Sequence, residues 1–204
     1  MIATAPRGLG QRLALACLRR LGWQVLMPDA LPDKAVIVAY PHTSNWDFPL
    51  GILWKIASGR RCRWIAKDAL FRWPLGAFMR GLGGIPVNRR QPAGFVDAVA
   101  AEFATSTDCV VAIAPEGTRS LTPGWKSGFH RIARAAGVPI LLGTIDYGRR
   151  RIGIIGSLTA SDDPDADMAK IAAVYADCRG CRPHLAAPIR LAPRPDGRTN
   201  GTNR

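Results

Sequence analysis

Ala35-Val36-Ile37-Val38-Ala39-Tyr40-Pro41-His42-Thr43-Ser44-Asn45-Trp46-Asp47 is the stretch on which the fold turns. Its first six residues form an unbroken apolar run after the turn-like Pro28 to Asp33, the pattern of a strand buried on both faces. The polar residues that follow read as a loop at the carboxyl end of that strand. Ser44 or Asn45 is expected to cap a helix whose first turn holds Asp47 and Pro49, whose apolar face uses Ile52, Leu53 and Ile56, and which stops at Gly59. Open α/β sheets place their ligands at this edge. A histidine titrates near neutrality and takes a proton from a hydroxyl when a second group fixes its tautomer and stabilises the imidazolium. His42 is therefore a candidate general base and Asp47 its orienter.

Outward from this stretch, helical and strand patterns alternate. Toward the N-terminus, Leu9, Leu13, Cys17 and Leu21 recur at fourfold spacing among Gln11, Arg12, Arg19 and Arg20, predicting an amphipathic basic helix over about 9–26. Two roles suit it: packing on its own domain, or lying in a membrane interface with its arginines on anionic headgroups. Toward the C-terminus, Trp64 to Ala66 leads to Lys67, and Pro74 opens a helix carrying Leu75, Phe78, Met79 and Leu82, ended by glycines. Phe71, Trp73 and Phe78, interleaved with Arg72 and Arg80, suit either core packing or lipid contact.

Ile85 to Asn88 is followed by Arg89 and Arg90, then by a helix with Val96, Val99, Ala100 and Phe103 on one face. Cys109 to Ala114 is another buried strand, and it empties into Pro115-Glu116-Gly117-Thr118-Arg119-Ser120. Two polar loops at the carboxyl ends of two strands make a candidate site. A helix through Phe129, Ile132, Ala133 and Ala136 stops at Gly137. Strands at Val138 to Ile145 and Arg151 to Ile155 flank a turn at Gly148, and a last helix through Met168, Ile171 and Tyr175 is opened by Asp163 and Pro164. His130 reads as a surface histidine. The pattern predicts the α/β class: a single domain over 1–192 with a mostly buried mixed β-sheet flanked by helices, then a flexible basic tail over 193–204.

The chain has 204 residues, is 48% hydrophobic and carries a formal charge of +13, enough for one cored domain and favourable to an anionic partner. Its apolar runs fall far short of the roughly 18 residues that suggest a membrane span, and no secretory signal pattern opens it. Retention of the start and a cytoplasmic location are expected. Five cysteines suit a reducing compartment. Cys178 and Cys181 form one C-x-x-C with a single nearby His184, too few ligands for a structural zinc site, so two ordinary thiols and no metal are expected.

The ordered set of His42-x-x-x-x-Asp47, Lys67, Val87-Asn88-Arg89, Pro115-Glu116-Gly117-Thr118-Arg119 and Val138-Pro139-Ile140 resembles the glycerolipid acyltransferase family, which includes the 1-acylglycerol-3-phosphate acyltransferases. The resemblance spans roughly Val36 to Ile145. It implies transfer of a fatty acyl group from acyl-CoA or acyl-carrier protein to a lysophospholipid hydroxyl, with His42 as base and Asp47 holding it. It further implies that Glu116, Gly117, Thr118 and Arg119, with Arg89 and Lys67, bind the acceptor and its phosphate. No cofactor is implied beyond the acyl thioester co-substrate, and the implied partners are a lipid acceptor, the acyl donor and an anionic membrane surface, met peripherally on its cytoplasmic face. The chain departs from the family at Pro41, where asparagine is usual, and at Ala114, where phenylalanine is usual.

The chemistry fits these residues on physical grounds. A thioester is already activated, so the reaction needs a base, a cradle for the acceptor and oxyanion donors, but no covalent nucleophile. Arginine matches phosphate with a planar fork, and Gly117 permits close backbone approach. The residues alone also allow Arg119 to pair with Glu116, and Lys67 and Lys126 to be plain surface charges. An amine or non-glycerol lipid acceptor suits the same mechanism. A nucleic-acid-binding reading rests on the charge and on Arg60 to Arg63 and Arg149 to Arg151, without any helix-turn-helix, zinc-finger or RNA-recognition pattern. A serine hydrolase reading lacks its Gly-x-Ser-x-Gly, since Ser127 has no such context.

Overall fold

A computed structural model describes residues 8–28, 30–87 and 95–193. Helix α1 (Leu9–Arg20) precedes strands β1 (Gln24–Leu26) and β2 (Lys34–Ala39), helix α2 (Asp47–Ser58) and strand β3 (Cys62–Lys67). A 3-10 turn (Asp68–Phe71) then leads to α3 (Gly76–Gly81), β4 (Gly84–Val87), α4 (Phe95–Thr105) and β5 (Cys109–Ile113). Helix α5 (Gly128–Ala136), strands β6 (Ile140–Asp146) and β7 (Arg151–Leu158) and helix α6 (Pro164–Tyr175) follow, and then a second 3-10 turn (Pro183–Leu185). The expected mixed sheet is present, with seven strands among the described residues in the order β1-β7-β6-β2-β5-β3-β4. Among these the β6 to β7 pairing alone is antiparallel.

Strand alternation sorts the core into two layers. Val36 and Val38 of β2 face α4, α5 and α6, meeting Phe103, Phe129, Ile132 and Ile171. Ala35 and Ile37 face the other way, toward Leu18 of α1 and Leu50 and Trp54 of α2. Phe71 stacks on Trp64, which in turn meets Phe48 of α2 edge-on, so the segment through α3 joins the α1 and α2 layer. With both faces covered, an apolar β2 is required, because each buried aliphatic side chain contributes about 1.5–3 kcal/mol.

The N-terminal helix ends at Arg20 rather than reaching Leu26. Gly22 takes a left-handed φ of 80° that breaks the helix, and Gln24 N then donates to Arg150 O and starts β1. Its packing face also differs from the stripe that the spacing marks. Ala14 and Leu18 are buried, whereas Leu9, Leu13, Cys17 and Leu21 stay exposed. His130 is a second correction: it is buried, and its Nε2 lies 2.9 Å from Asp167 Oδ2, so this polar residue of α5 sits inside because α6 supplies a partner.

The start of α2 inverts the expected cap. Ser44 and Asn45 do not cap it; the cap position is Trp46, without a side-chain bond. Asp47, in the first turn, instead reaches back and accepts from the amides of Thr43 and Ser44. The tail expected over 193–204 lies, after Pro193, outside the described residues. Residues 177–192 before it are fastened to the sheet edge: Arg179 N donates to Asp146 Oδ1, Arg182 N to Thr43 Oγ1 and Ala192 N to Trp125 O.

Parallel pairing brings the carboxyl ends of β2, β5, β3, β4 and β6 to one edge. Ala39, Ile113, Lys67, Val87 and Asp146 therefore release their loops on the same side of the molecule.

Candidate active site

His42 enters the loop after β2 with its side chain 20% exposed, and its Nδ1 lies 3.2 Å from Asp47 Oδ2. That contact fixes Nδ1 as the protonated ring nitrogen and leaves Nε2, which no described residue bonds, as the acceptor. Asp47 is buried, yet every lone pair that matters has a donor. Thr43 N and Ser44 N each donate to Oδ2 at 2.9 Å, and Tyr147 Oη donates to Oδ1 at 2.8 Å. The main-chain geometry of the loop, with Asp47 in the first helical turn, folds the carboxylate back beneath the imidazole. Burial, followed by the bond to Asp47, pushes the Tyr147 phenol well above its ordinary range, so it remains a donor.

Glu116, at the end of β5, is 1% exposed and bonded through both oxygens to main chain. His42 N donates to Oε2 at 2.7 Å, and Ala187 N donates to Oε1 at 2.8 Å. Burial raises its pKa, and those two amides oppose the rise. Glu116 thus joins three pieces of chain at the edge: the β2 loop, the β5 loop and the C-terminal strap.

Gly117 has φ 67°, and a Cβ there would stand 3.1 Å from Cε and Nζ of Lys126, so the glycine makes room for that lysine. Thr118 is exposed and accepts from Ser120 N. Arg119 does not pair with Glu116; its Nε donates to Ser44 O at 3.2 Å, bridging the two loops. The structure therefore brings His42, Asp47, Glu116, Gly117 and Arg119 together. Lys67 is exposed at the same edge but two strands away, and it does not line the cavity described next. Arg89 lies outside the described residues.

A cavity of about 370 Å³ opens between α2 and the sheet. Its walls are apolar, among them Ile37, Phe48, Ile52, Trp64, Leu70 and Met79, and its polar lining includes His42, Asn45, Asp47 and Arg119. Asn45, Phe48, Gly51, Ile52 and Lys55 line it at helical spacing, so it follows α2 downward. From Asp47 to Lys55 that is about 12 Å at 1.5 Å per residue. Lys55 also lines the cavity, with its ammonium donating to Leu82 O and its pKa lowered by burial. Gly51 carries no side chain into this space, and a Cβ there would meet nothing within 4 Å.

Tyr147 is the functional candidate that the sequence pattern did not single out. Its signal was its place directly after Ile140–Asp146, since a strand parallel to β2 must end at the same edge. The donors to Glu116 and Thr43 from Ala187 and Arg182 had no local signal at all. The arginine clusters that suggested nucleic acid are largely occupied within the chain. Arg60 bonds Asp33, Arg63 pairs with Glu102, Arg149 with Asp177, and Arg151 with Gln24.

Among the described residues no group of His, Cys, Asp and Glu is arranged to hold a metal ion, and no helix is long and apolar enough to cross a membrane. Of solved structures, that of the 1-acyl-sn-glycerophosphate (LPA) acyltransferase PlsC from Thermotoga maritima is similar. It shares 21% identity at a TM-score of 0.48, covering 81% of this chain and 73% of that one. No curated protein matches. The model of the Acyltransferase family matches residues 23–142, more than half of the chain and the whole span from Trp23 through both motif loops. The chain belongs to the acyltransferase family and is an acyltransferase.

Proposed function

We propose that this enzyme moves a fatty acyl group from acyl-CoA or acyl-carrier protein to the hydroxyl of a lysophosphatidic acid-like acceptor. The observation that carries this is an apolar cavity whose polar lining holds a histidine with Nδ1 tied to a buried aspartate and Nε2 open. His42 Nε2 takes the proton of the acceptor hydroxyl as its oxygen attacks the thioester carbonyl. The carbon–sulfur bond breaks as the new ester forms, and the leaving thiolate recovers the proton from the imidazolium. Asp47 stabilises that imidazolium, and its other donors fix it in place.

The apolar wall along α2 suits a fatty acyl chain, since such sites bury most of an apolar ligand. Arg119 and Lys126, on the β5 loop and the chain that follows it, suit an acceptor phosphate by charge-assisted hydrogen bonds. The test is thiol release from acyl-CoA with lysophosphatidic acid, read together with product mass. His42→Ala should lower the rate about 10² to 10⁴-fold, the usual contribution of a positioned base. Thiol release by His42→Ala equal to that of the natural chain would sink the proposal.

A further inference from the structure

Acyl transfer creates a negative charge that the dyad does not hold. As the acceptor oxygen attacks the thioester carbonyl, its proton passes to His42 Nε2 and the carbonyl π electrons move onto the carbonyl oxygen. Collapse of that oxyanion restores the C=O bond, breaks the carbon–sulfur bond and returns the proton from the imidazolium to the thiolate. Neither partner of the dyad serves the oxyanion. His42 Nδ1 lies against Asp47 and Nε2 is occupied with the acceptor proton, while a carboxylate only accepts. The charge therefore calls for N–H or O–H donors beside the base that are not already committed.

The main-chain donors of the loop can be followed one by one. His42 N donates to Glu116, Thr43 N and Ser44 N donate to Asp47, and Trp46 N donates to Ser44 Oγ. Asp47 N and Phe48 N close turns onto Ser44 O and Asn45 O, and Pro49 has no N–H. Asn45 is the exception. Among the described residues nothing accepts from its main-chain N–H, and nothing bonds its side-chain amide. It is exposed, between the base and the aspartate that orients it.

The cavity lining selects the same residue. Asn45 borders the cavity together with His42 and Phe48, so it stands where the loop of the base meets the apolar wall of α2. Other polar groups on the lining are engaged or face elsewhere. Lys55 lies about two turns further along α2 with its ammonium on Leu82 O, and the Cys62 thiol donates to Arg63 O. Ile145 packs in the layer of α1 and α2, so the preceding Thr144 directs its hydroxyl to the opposite layer. Arg119 gives its Nε to Ser44 O, and its full positive charge matches the acceptor phosphate better than an oxygen that is charged only in passing.

We infer that Asn45 is a catalytic residue of this enzyme, its Nδ2 and main-chain N–H holding the thioester oxygen while His42 Nε2 takes the acceptor proton. A neutral amide donates at every pH the base works at, and it brings no charge that would compete for Asp47. Two donors on one residue at the head of the apolar wall leave the acyl chain running along α2 and the carbonyl carbon facing the base. The inference rests on the proposed thioester donor and is independent of which hydroxyl is acylated.

The experiment compares Asn45→Ala and Asn45→Asp with the natural chain. Thermal unfolding should be unchanged in Asn45→Ala, because the side chain is exposed and bonds no described residue. Loss of one oxyanion donor typically costs about 10² to 10³ in kcat, and that loss is expected here with the KM of acyl donor and acceptor nearly constant. Asn45→Asp keeps the shape but sets a carboxylate against the oxyanion, so it should be slower still. A second measurement needs no acceptor: calorimetric binding of two analogues of the acyl donor, built on CoA or on the carrier protein. The thioether stands in for the ground state, and the hydrate of the trifluoromethyl ketone stands in for the tetrahedral species. Asn45→Ala should weaken the ketone by about the factor lost in kcat and leave the thioether as it was. Equal loss of both analogues, an aspartate variant faster than the alanine one, or a raised KM at unchanged kcat overturns the inference. Absence of thiol release from the natural chain with every acceptor counts against the proposed function, and the pair of analogues then decides the role of Asn45 alone.

Discussion

Tyr147 donates its phenolic proton to Asp47 Oδ1 at 2.8 Å, joining residues 100 positions apart at the carboxyl edge of the sheet. Asp47 uses its other oxygen for His42 and for two amides of its own loop. The dyad, carried whole by the segment after β2, is thus braced by a residue at the end of β6. Tyr147→Phe removes one charge-assisted hydrogen bond and little volume. We expect about a tenfold loss of kcat, with unfolding temperature nearly unchanged and the KM of the acyl donor unaffected. A raised KM at constant kcat would assign Tyr147 to substrate binding instead.

Glu116 holds the main chain of His42 and of Ala187 from a buried position. Glu116→Gln keeps the shape but turns an amide donor toward one of two backbone N–H groups, breaking that tie. A displaced base is the expected result, with about 10² lost in kcat and KM for the acceptor little altered. Steady-state kinetics with varied acceptor decides the point, because loss of a direct phosphate contact would raise KM.

Glycine in the middle of a helix costs about 0.5–1 kcal/mol relative to alanine, so Gly51 weakens α2 while leaving the cavity wall open. Gly51→Ala should raise stability by a similar amount. Gly51→Leu should fill the space beside Phe48 and Ile52 and shift preference toward shorter acyl chains. Competition between short- and long-chain acyl-CoA, read by product mass, measures the shift; unchanged selectivity would place the acyl chain elsewhere.

His130 and Asp167 form a buried pair that ties α5 to α6, with Ser161 N and Lys170 also donating to Asp167. Burial pushes the pKa of Asp167 upward, but the bonds from Ser161, His130 and Lys170 outweigh it, and the net shift is downward. A carboxyl lowered on folding stabilises above its unfolded value, and that contribution is lost as pH falls through the lower folded value. Acid unfolding should therefore gain a component below the ordinary aspartate value of 3.8. Asp167→Asn should remove this component and cost about 3 kcal/mol at neutral pH, measured by denaturant unfolding across pH.

Local elements and the chemistry-bearing loops were legible along the chain, apart from the end of α1 and the cap of α2. The apolar run of β2 required burial on two faces, Gly59 and Gly137 stopped their helices in left-handed conformations, and Asp163 with Pro164 opened α6. His42, Asp47 and the segment from Glu116 to Arg119 were legible because each stands directly after such a run. Tertiary structure decided which donors reach those residues, since a period along the chain carries no record of contacts across it. Pairing of β6 beside β2 placed Tyr147 on Asp47, and the strap from 177 to 192 placed Ala187 on Glu116. The same holds for the leucine stripe of α1. Its fourfold spacing marked an apolar face, but only the packing of Ala14 and Leu18 inward showed that this face points to the outside.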